Sequence, residues 1–62
     1  MKRRDLIAHL ARHGCRFLRE GSRHSVWVNP QTGHKEAIPR HAEIDRFLAK
    51  KICRMLSVPD PE

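Results

Sequence analysis

Long hydrophobic runs are missing from this 62-residue chain. No stretch approaches the roughly 20 apolar residues that a membrane-spanning helix needs. The apolar segment 6–8 is interrupted by His9 and is too short to form the core of a secretory signal. We therefore expect no membrane segment and a cytoplasmic location. The length predicts one small domain over residues 1–62, of which residues 57–62 form a short frayed tail.

Cysteines and clustered carboxylates are also scarce. Cys15 and Cys53 are the only cysteines, and their wide separation excludes a disulfide framework and a cysteine-based metal site, so we expect two core thiols. No cluster of carboxylates suited to Mg²⁺ is present. His9 and His13 stand four apart on a predicted helix, a spacing that can bind zinc, but no further ligands accompany them and both are expected on the surface. The sequence therefore predicts neither a metal nor a cofactor.

What the chain has in excess is positive charge. Thirteen Lys and Arg residues oppose seven Asp and Glu residues, which gives a net charge of +6. Residues 1–30 hold seven basic and two acidic side chains, whereas residues 31–62 hold six and five. An excess of this kind, concentrated on one part of a small domain, is typical of a surface that faces nucleic acid. The alternative is a coat of charges that serves only solubility.

Hydrophobic periodicity and turn residues predict five elements. Gly14 is expected to end the first helix in a left-handed conformation, Asp45 to cap the second helix, and Pro39 to stop the third strand. The order is that of an α+β domain, α-β-β-β-α, with a three-stranded antiparallel sheet and both helices on one face. The predicted elements are a helix over residues 3–13, strands over residues 15–19, 24–28 and 34–38, and a helix over residues 46–56.

Alternation along the first strand assigns Cys15 and Phe17 to the inner face, whereas Leu18 fits no alternation. Gly21, in the turn that follows, is expected to take a positive φ. In the second strand Trp27 lies on the face opposite His24, and periodicity does not say which of the two faces the helices. The second helix has a basic side and a broad apolar side; the apolar members are Phe47, Leu48, Ile52, Cys53, Met55 and Leu56, and the basic members are Lys50, Lys51 and Arg54.

The run Gly21-Ser22-Arg23-His24 carries the chemistry that the composition suggests. An imidazole exchanges a proton near neutral pH, so His24 is the candidate general base for removing the proton of an RNA 2′-hydroxyl. Arg23 and Arg19 flank it and are candidate phosphate ligands, unless they are only exposed charges. Ser22 either donates a hydrogen bond to phosphate or serves only the turn. Gly21 is better explained by the turn, the alternative being that it lets the backbone approach RNA closely.

Four features follow one another in the chain: the opening helix that ends at Gly14, the Gly21-Ser22-Arg23-His24 run, the turn from Pro30 to Gly33, and Ile38-Pro39-Arg40-His41 before the last helix. In this order they resemble the HicA toxin family, whose fold is similar to that of double-stranded-RNA-binding domains. The resemblance covers roughly residues 2–57. One departure is visible, since many members carry a second histidine at the position of Arg23.

The resemblance implies a ribosome-independent, mRNA-cleaving endoribonuclease that is paired with a HicB-like antitoxin. It implies that His24 is the catalytic histidine. Arg40 and His41 either reach phosphate, with His41 assisting as general acid, or form a structural bend set by Pro39. We expect an mRNA substrate, no metal, and a heterocomplex with the antitoxin or a dimer.

Two other functions fit the same residues less completely. A non-catalytic RNA-binding module of the same fold would need only the charge. A DNA-binding or antitoxin-like protein is a weaker alternative, because no recognition-helix pattern is present. Trp27 is better explained by the core or by an antitoxin interface than by stacking on a base.

Overall fold

A computed structural model describes residues 1–61 of the chain. Two helices and three antiparallel strands follow one another in the predicted order, so the predicted α+β architecture of the double-stranded-RNA-binding type is confirmed. Each predicted boundary lies within one residue of the observed one. The elements are α1 (Arg3–Arg12), β1 (Arg16–Glu20), β2 (His24–Val28), β3 (Lys35–Pro39) and α2 (Arg46–Met55).

The two helices begin in different ways. The Asp45 carboxylate accepts hydrogen bonds from the backbone N–H groups of Phe47 and Leu48, at 3.1 and 3.3 Å, and so caps α2 as predicted. No side chain caps α1. Instead, a residue outside the helix satisfies the first turn of α1, because the Arg3 N–H donates to the Ala42 carbonyl at 2.8 Å. The segment before α2 thus fixes the start of α1.

The end of α1 follows the sequence prediction. Gly14 has a φ of +90°, a conformation that L side chains rarely adopt, and the chain reverses there into β1. The Cys15 N–H donates back to the Leu10 carbonyl at 3.0 Å. This turn brings the chain from the helix directly to the sheet.

A bulge in β1 explains the residue that fitted no alternation. Phe17 pairs with Trp27, but the next paired residue is Arg19, which lies opposite Val26. Leu18 is therefore the extra residue of the bulge. Because of it, the residues on either side, Phe17 and Arg19, belong to opposite faces of the sheet.

The hydrophobic core lies between the sheet and the two helices, and one cluster of buried side chains fills it. Ile38 of β3 contributes from the sheet, and Trp27 packs partly against the cluster. Trp27 thus faces the helices, which decides the question that periodicity left open. The buried members are Leu6, Leu10, Cys15, Ile38, Ile44, Ala49, Ile52, Cys53, Leu56 and Val58.

Three side chains that the sequence assigned to the interior are exposed. Phe17 shares the sheet face of Trp27 and meets its ring edge-on at 6.2 Å between centroids, yet it is 52% exposed because β1 lies at the sheet edge beyond the helices. Phe47 is 81% exposed and Met55 is 51% exposed on the outer side of α2. The apolar side of α2 is therefore narrower than predicted.

The surface position predicted for His9 is wrong. Residues 58 and 59 of the predicted tail contact the fold, and residue 62 lies outside the described residues. His9 is 6% exposed, and its Nε2 lies 2.7 Å from the Pro59 carbonyl, to which it donates a hydrogen bond. Val58 is buried in the core, and its N–H donates to the Cys53 carbonyl at 2.9 Å. The segment after α2 is thus anchored on α1, by a contact between residues 50 positions apart that no local pattern reveals.

Candidate nucleic-acid interface

Strand register divides the side chains of the sheet between two faces. Residues directly opposite one another in antiparallel strands point to the same face. Ser25 is buried opposite Ile38 on the face that the helices cover. His24, one residue earlier, pairs with Pro39 and belongs to the other face, which we call the open face. No helix among residues 1–61 covers the open face.

His24 occupies the first position of β2 on this open face, and its side chain is exposed. Its backbone is held by the strand pairing with β3 and by a 2.7 Å hydrogen bond from the Gly21 N–H to the His24 carbonyl. An exposed ring on a fixed backbone is accessible to a large substrate. The helices therefore leave the His24 ring uncovered.

The charged residues of the sheet are sorted by sign between the two faces. Arg19 pairs with Val26 and therefore lies on the open face with His24. Arg16 and Lys35, both of which pair with Val28, lie on the same face. Among the described strand residues, the open face carries these three cations and no carboxylate. The two acidic residues of the strands, Glu20 and Glu36, pair with Ser25 and Trp27 on the helix-covered face.

Gly21 serves the turn in a different way from that predicted. It does not have a positive φ, which among the glycines is confined to Gly14 and Gly33. A Cβ added at Gly21 would lie 3.2 Å from the His24 carbonyl oxygen, a tight contact that the neighbouring backbone would have to relieve. The glycine is thus needed for a close approach of the backbone, directly beside the candidate catalytic residue.

Arg40 makes a set of contacts that the sequence did not predict. Its Nη1 donates to Glu20 Oε2 at 2.7 Å, and its Nη2 donates to the Ser22 carbonyl at 2.7 Å and to the Gly21 carbonyl at 3.4 Å. The guanidinium therefore binds the turn before His24 through three acceptors. His41, the next residue, is exposed beside this contact.

A second arginine completes the polar network beneath the turn. Arg3, at the start of α1, donates from Nε to the Pro39 carbonyl and from Nη2 to Ser25 Oγ, both at 2.9 Å. The Ser25 hydroxyl donates in turn to Glu20 Oε1 at 2.6 Å. Sequence reasoning missed Arg3, Glu20 and Ser25, because most of their contacts join residues at least 20 positions apart. The only available signal was a serine on the strand face opposite His24.

The other predicted site residues lie in or next to the turn. Ser22 and Arg23 are exposed, and neither side chain forms a hydrogen bond or ion pair with a residue in the range 1–61. Arg19 is exposed on the open face. Arg19 and His24 thus lie on the open face, and Ser22 and Arg23 lie in the turn directly before His24, while the Arg40 guanidinium is occupied by Glu20 and the turn.

Metal-binding geometry was not found in the described part of the chain. No group of three or more His, Cys, Asp or Glu side chains there could hold an ion. The two thiols belong to the core: burial raises the pKa of Cys15, and burial, followed by the charges of Asp60 and Cys15, raises the pKa of Cys53 to about 11. None of the helices in residues 1–61 has the length and apolar character to cross a membrane.

The fold and this site define a small basic α+β domain of the double-stranded-RNA-binding type, with a histidine on an open, cationic sheet face. A family model described as the HicA toxin of bacterial toxin-antitoxin matches residues 3–58. The chain therefore belongs to the HicA toxin family, and the resemblance drawn from its motifs is confirmed. Membership implies an antitoxin as partner. No curated protein and no solved structure matches the chain.

Proposed function

We propose that this HicA toxin is a metal-independent endoribonuclease that cleaves mRNA with His24 as general base. The observation that carries the proposal is the exposure of the His24 side chain on a sheet face whose charged neighbours are all cationic. A proton acceptor on the same surface as exposed cations is what a polyanionic substrate with its own nucleophile requires.

The chemistry uses the 2′-hydroxyl of the substrate. The neutral His24 imidazole accepts the proton of the 2′-hydroxyl, and the resulting oxyanion attacks the adjacent phosphorus. The bond from phosphorus to the 5′-oxygen of the next nucleotide breaks, and that oxygen is protonated as it leaves. The products are a 2′,3′-cyclic phosphate and a 5′-hydroxyl, and DNA is inert because it lacks the nucleophile.

The cationic side chains supply affinity and charge stabilisation. Arg19 shares the open face with His24, and Arg23 is adjacent to it in the turn, so both are assigned to the scissile phosphate or its neighbours. Ser22, exposed at the tip of the turn, is assigned to a neighbouring phosphate oxygen. His41 is the candidate proton donor for the leaving 5′-oxygen, since it is exposed next to the Arg40 contact with the turn.

The same site explains why a partner protein is required. An unguarded ribonuclease would damage the cell that makes it. We propose that a HicB-like antitoxin forms a heterocomplex with the toxin in the cytoplasm and covers the open face, so that His24 and the adjacent cations are withheld from RNA.

The test compares His24→Ala with His34→Ala, which removes an exposed histidine outside the site. Each variant and the wild type are expressed from a tightly controlled promoter while growth and transcript integrity are followed. Purified proteins are then incubated with an RNA and with a DNA of the same sequence, in the presence of a chelator. We expect arrested growth and RNA cleavage with the wild type and His34→Ala, and neither with His24→Ala.

Two results would contradict the proposal. Equal cleavage by His24→Ala would exclude His24 as the base. RNA binding of equal, salt-dependent affinity in wild type and His24→Ala, without cleavage by either, would favour the non-catalytic RNA-binding module.

A further inference from the structure

Four charged and polar residues are linked by hydrogen bonds and contact the turn next to His24. We call this group the clamp: Arg3, Glu20, Ser25 and Arg40. The clamp begins at α1, passes through the ends of β1 and β2, and finishes after β3. Glu20 is its centre, because one carboxylate oxygen accepts from Ser25 and the other from Arg40.

The clamp lies on the side of the sheet opposite the His24 side chain. Glu20 pairs with Ser25, which is 2% exposed on the helix-covered face. The polar groups therefore contact the backbone around His24 and leave its ring in solvent. Groups with this placement can fix the position of the ring without touching a substrate that is bound on the open face.

Each backbone segment next to His24 is tied to the clamp. The carbonyl of Ser22, two residues before it, accepts from Arg40. Ser25, the residue after it, is held between Arg3 and Glu20. Pro39, its partner across the strands, has its carbonyl bound by Arg3. Loss of the Glu20 carboxylate would remove a contact from Ser25 and one from Arg40, and so would loosen the segments on both sides of the histidine.

We propose that Glu20 and Arg40 are positioning residues for His24, and that Arg40 binds the turn rather than RNA phosphate. This inference rests on the proposed ribonuclease function. It revises the sequence prediction for Arg40, whose guanidinium already has three acceptors within the protein. A displacement of a catalytic group by about 1 Å lowers turnover by roughly 100-fold, so a loosened turn is expected to reduce kcat rather than affinity.

The first test is Glu20→Gln, with Glu43→Gln as the matched control. Both changes remove one negative charge from an ion-paired glutamate, since Glu43 contacts the N-terminal amine at 3.2 Å and Lys2 at 3.9 Å. In the native protein Ser25 and Arg40 donate to different oxygens of the Glu20 carboxylate. Glutamine keeps one of these oxygens and places an NH₂ group, which only donates, where the other was, so one of the two contacts is disrupted. We expect kcat to fall about 10- to 100-fold with KM nearly unchanged in Glu20→Gln, and little change in Glu43→Gln.

If Glu20 acts only through its charge, Glu20→Gln would behave like Glu43→Gln in RNA binding and would leave kcat unchanged. That result would overturn the inference. If circular dichroism shows that Glu20→Gln is partly unfolded, Arg40→Lys tests whether the clamp positions His24, because this change preserves the net charge.

Arg40→Lys separates the two roles of Arg40. A lysine keeps the charge that a phosphate needs, but its single nitrogen cannot span Glu20 and the Ser22 carbonyl as the guanidinium does. We expect a fall in kcat of about tenfold or more. An unchanged kcat with a raised KM would assign Arg40 to phosphate binding. In the double variant Glu20→Gln/Arg40→Lys, the fold decrease in kcat is expected to be smaller than the product of the two single decreases, because the two residues contact each other.

A readout that needs no activity distinguishes failure of the clamp from failure of the ribonuclease proposal. The Gly21 amide donates to the His24 carbonyl, so its hydrogen exchange reports on the turn directly. We expect exchange of Gly21 to accelerate about tenfold in Glu20→Gln, with the His24 ring resonances shifted, and neither to change in Glu43→Gln. Unchanged exchange and ring signals would refute the clamp even if His24→Ala abolishes cleavage. If His24→Ala still cleaves RNA, the catalytic role proposed for His24 fails, and accelerated exchange would still establish that Glu20 holds the turn.

Discussion

The two faces of the three-stranded sheet are built from neighbouring residues and have opposite properties. The helix-covered face buries Ser25 and Ile38 and carries both carboxylates of the strands. The open face carries cations and the exposed His24. Because the period of a strand is two residues, one sequence supplies a core to one face and a cationic surface to the other. Stability and proposed activity are therefore expected to respond to different substitutions.

The largest difference between an effect on activity and an effect on stability is expected from His24→Ala, on the open face, and Leu10→Ala, in the core beneath the other face. Loss of a general base lowers turnover by about 10²- to 10⁴-fold, whereas an exposed substitution changes the free energy of unfolding by less than about 0.5 kcal/mol. Leu10 is fully buried, and its truncation should cost about 2–5 kcal/mol, a large share of the stability of so small a domain. Denaturant unfolding and RNA cleavage are measured on both variants. A strongly destabilised His24→Ala would contradict the separation.

The thiol of Cys53 makes the helix-covered side sensitive to alkaline pH. Its pKa is raised from 9.0 to about 11 in the folded protein, mainly by burial. The folded state therefore binds the thiol proton more tightly than the unfolded state does. The resulting contribution to the free energy of unfolding is complete below about pH 9 and is lost as the pH rises through about 11. The shift corresponds to about 2–3 kcal/mol. We expect the free energy of unfolding to fall over this range, and to fall less in Cys53→Ala; equal slopes would refute the assignment.

A smaller effect is expected from single cations, and it should depend on the face. Arg19→Ala removes a charge beside His24, and Lys51→Ala removes one from the exposed side of α2. If Arg19 contacts a phosphate of single-stranded RNA, the slope of log affinity against log salt should become less steep by about 0.7. Lys51→Ala should leave the slope nearly unchanged. Equal slopes in both variants would mean that the charge of the whole chain, rather than the open face, binds RNA.

Phe47→Ala should have the smallest effect. The side chain is 81% exposed, so we expect a change in the free energy of unfolding within about 0.5 kcal/mol. Ile52→Ala, on the buried side of the same helix, should cost about 2–5 kcal/mol. Comparable losses from thermal or denaturant unfolding would mean that Phe47 contributes to the core after all.

Local sequence signals predicted the elements well because their causes are local. Gly14 needs a left-handed conformation and Asp45 accepts from its own helix, so both are visible within a few residues. The exposure of Phe17 depends on the position of β1 at the sheet edge, beyond the helices, and no alternation within the strand reports that.

In the candidate site, too, local sequence predicted some residues and not others. The Gly-Ser-x-His run indicated His24, and this residue is exposed on the open face. The groups that hold the run in place could not be predicted, since Arg3 meets Ser25 across 22 positions and Arg40 meets Glu20 across 20. Such contacts follow from the topology of the sheet. A charged residue next to a motif can therefore support the backbone as well as bind a substrate.

The chemical nature of the RNA ends tests the central claim most directly. Fragments produced by the purified toxin in the presence of a chelator are analysed for their termini by mass spectrometry and by labelling with and without phosphatase. We predict 2′,3′-cyclic phosphates and 5′-hydroxyls, and no cleavage at a site whose 2′-hydroxyl is methylated. Fragments with 5′-phosphates and 3′-hydroxyls would mean that water or another group attacks the phosphorus, and would contradict the role assigned to His24.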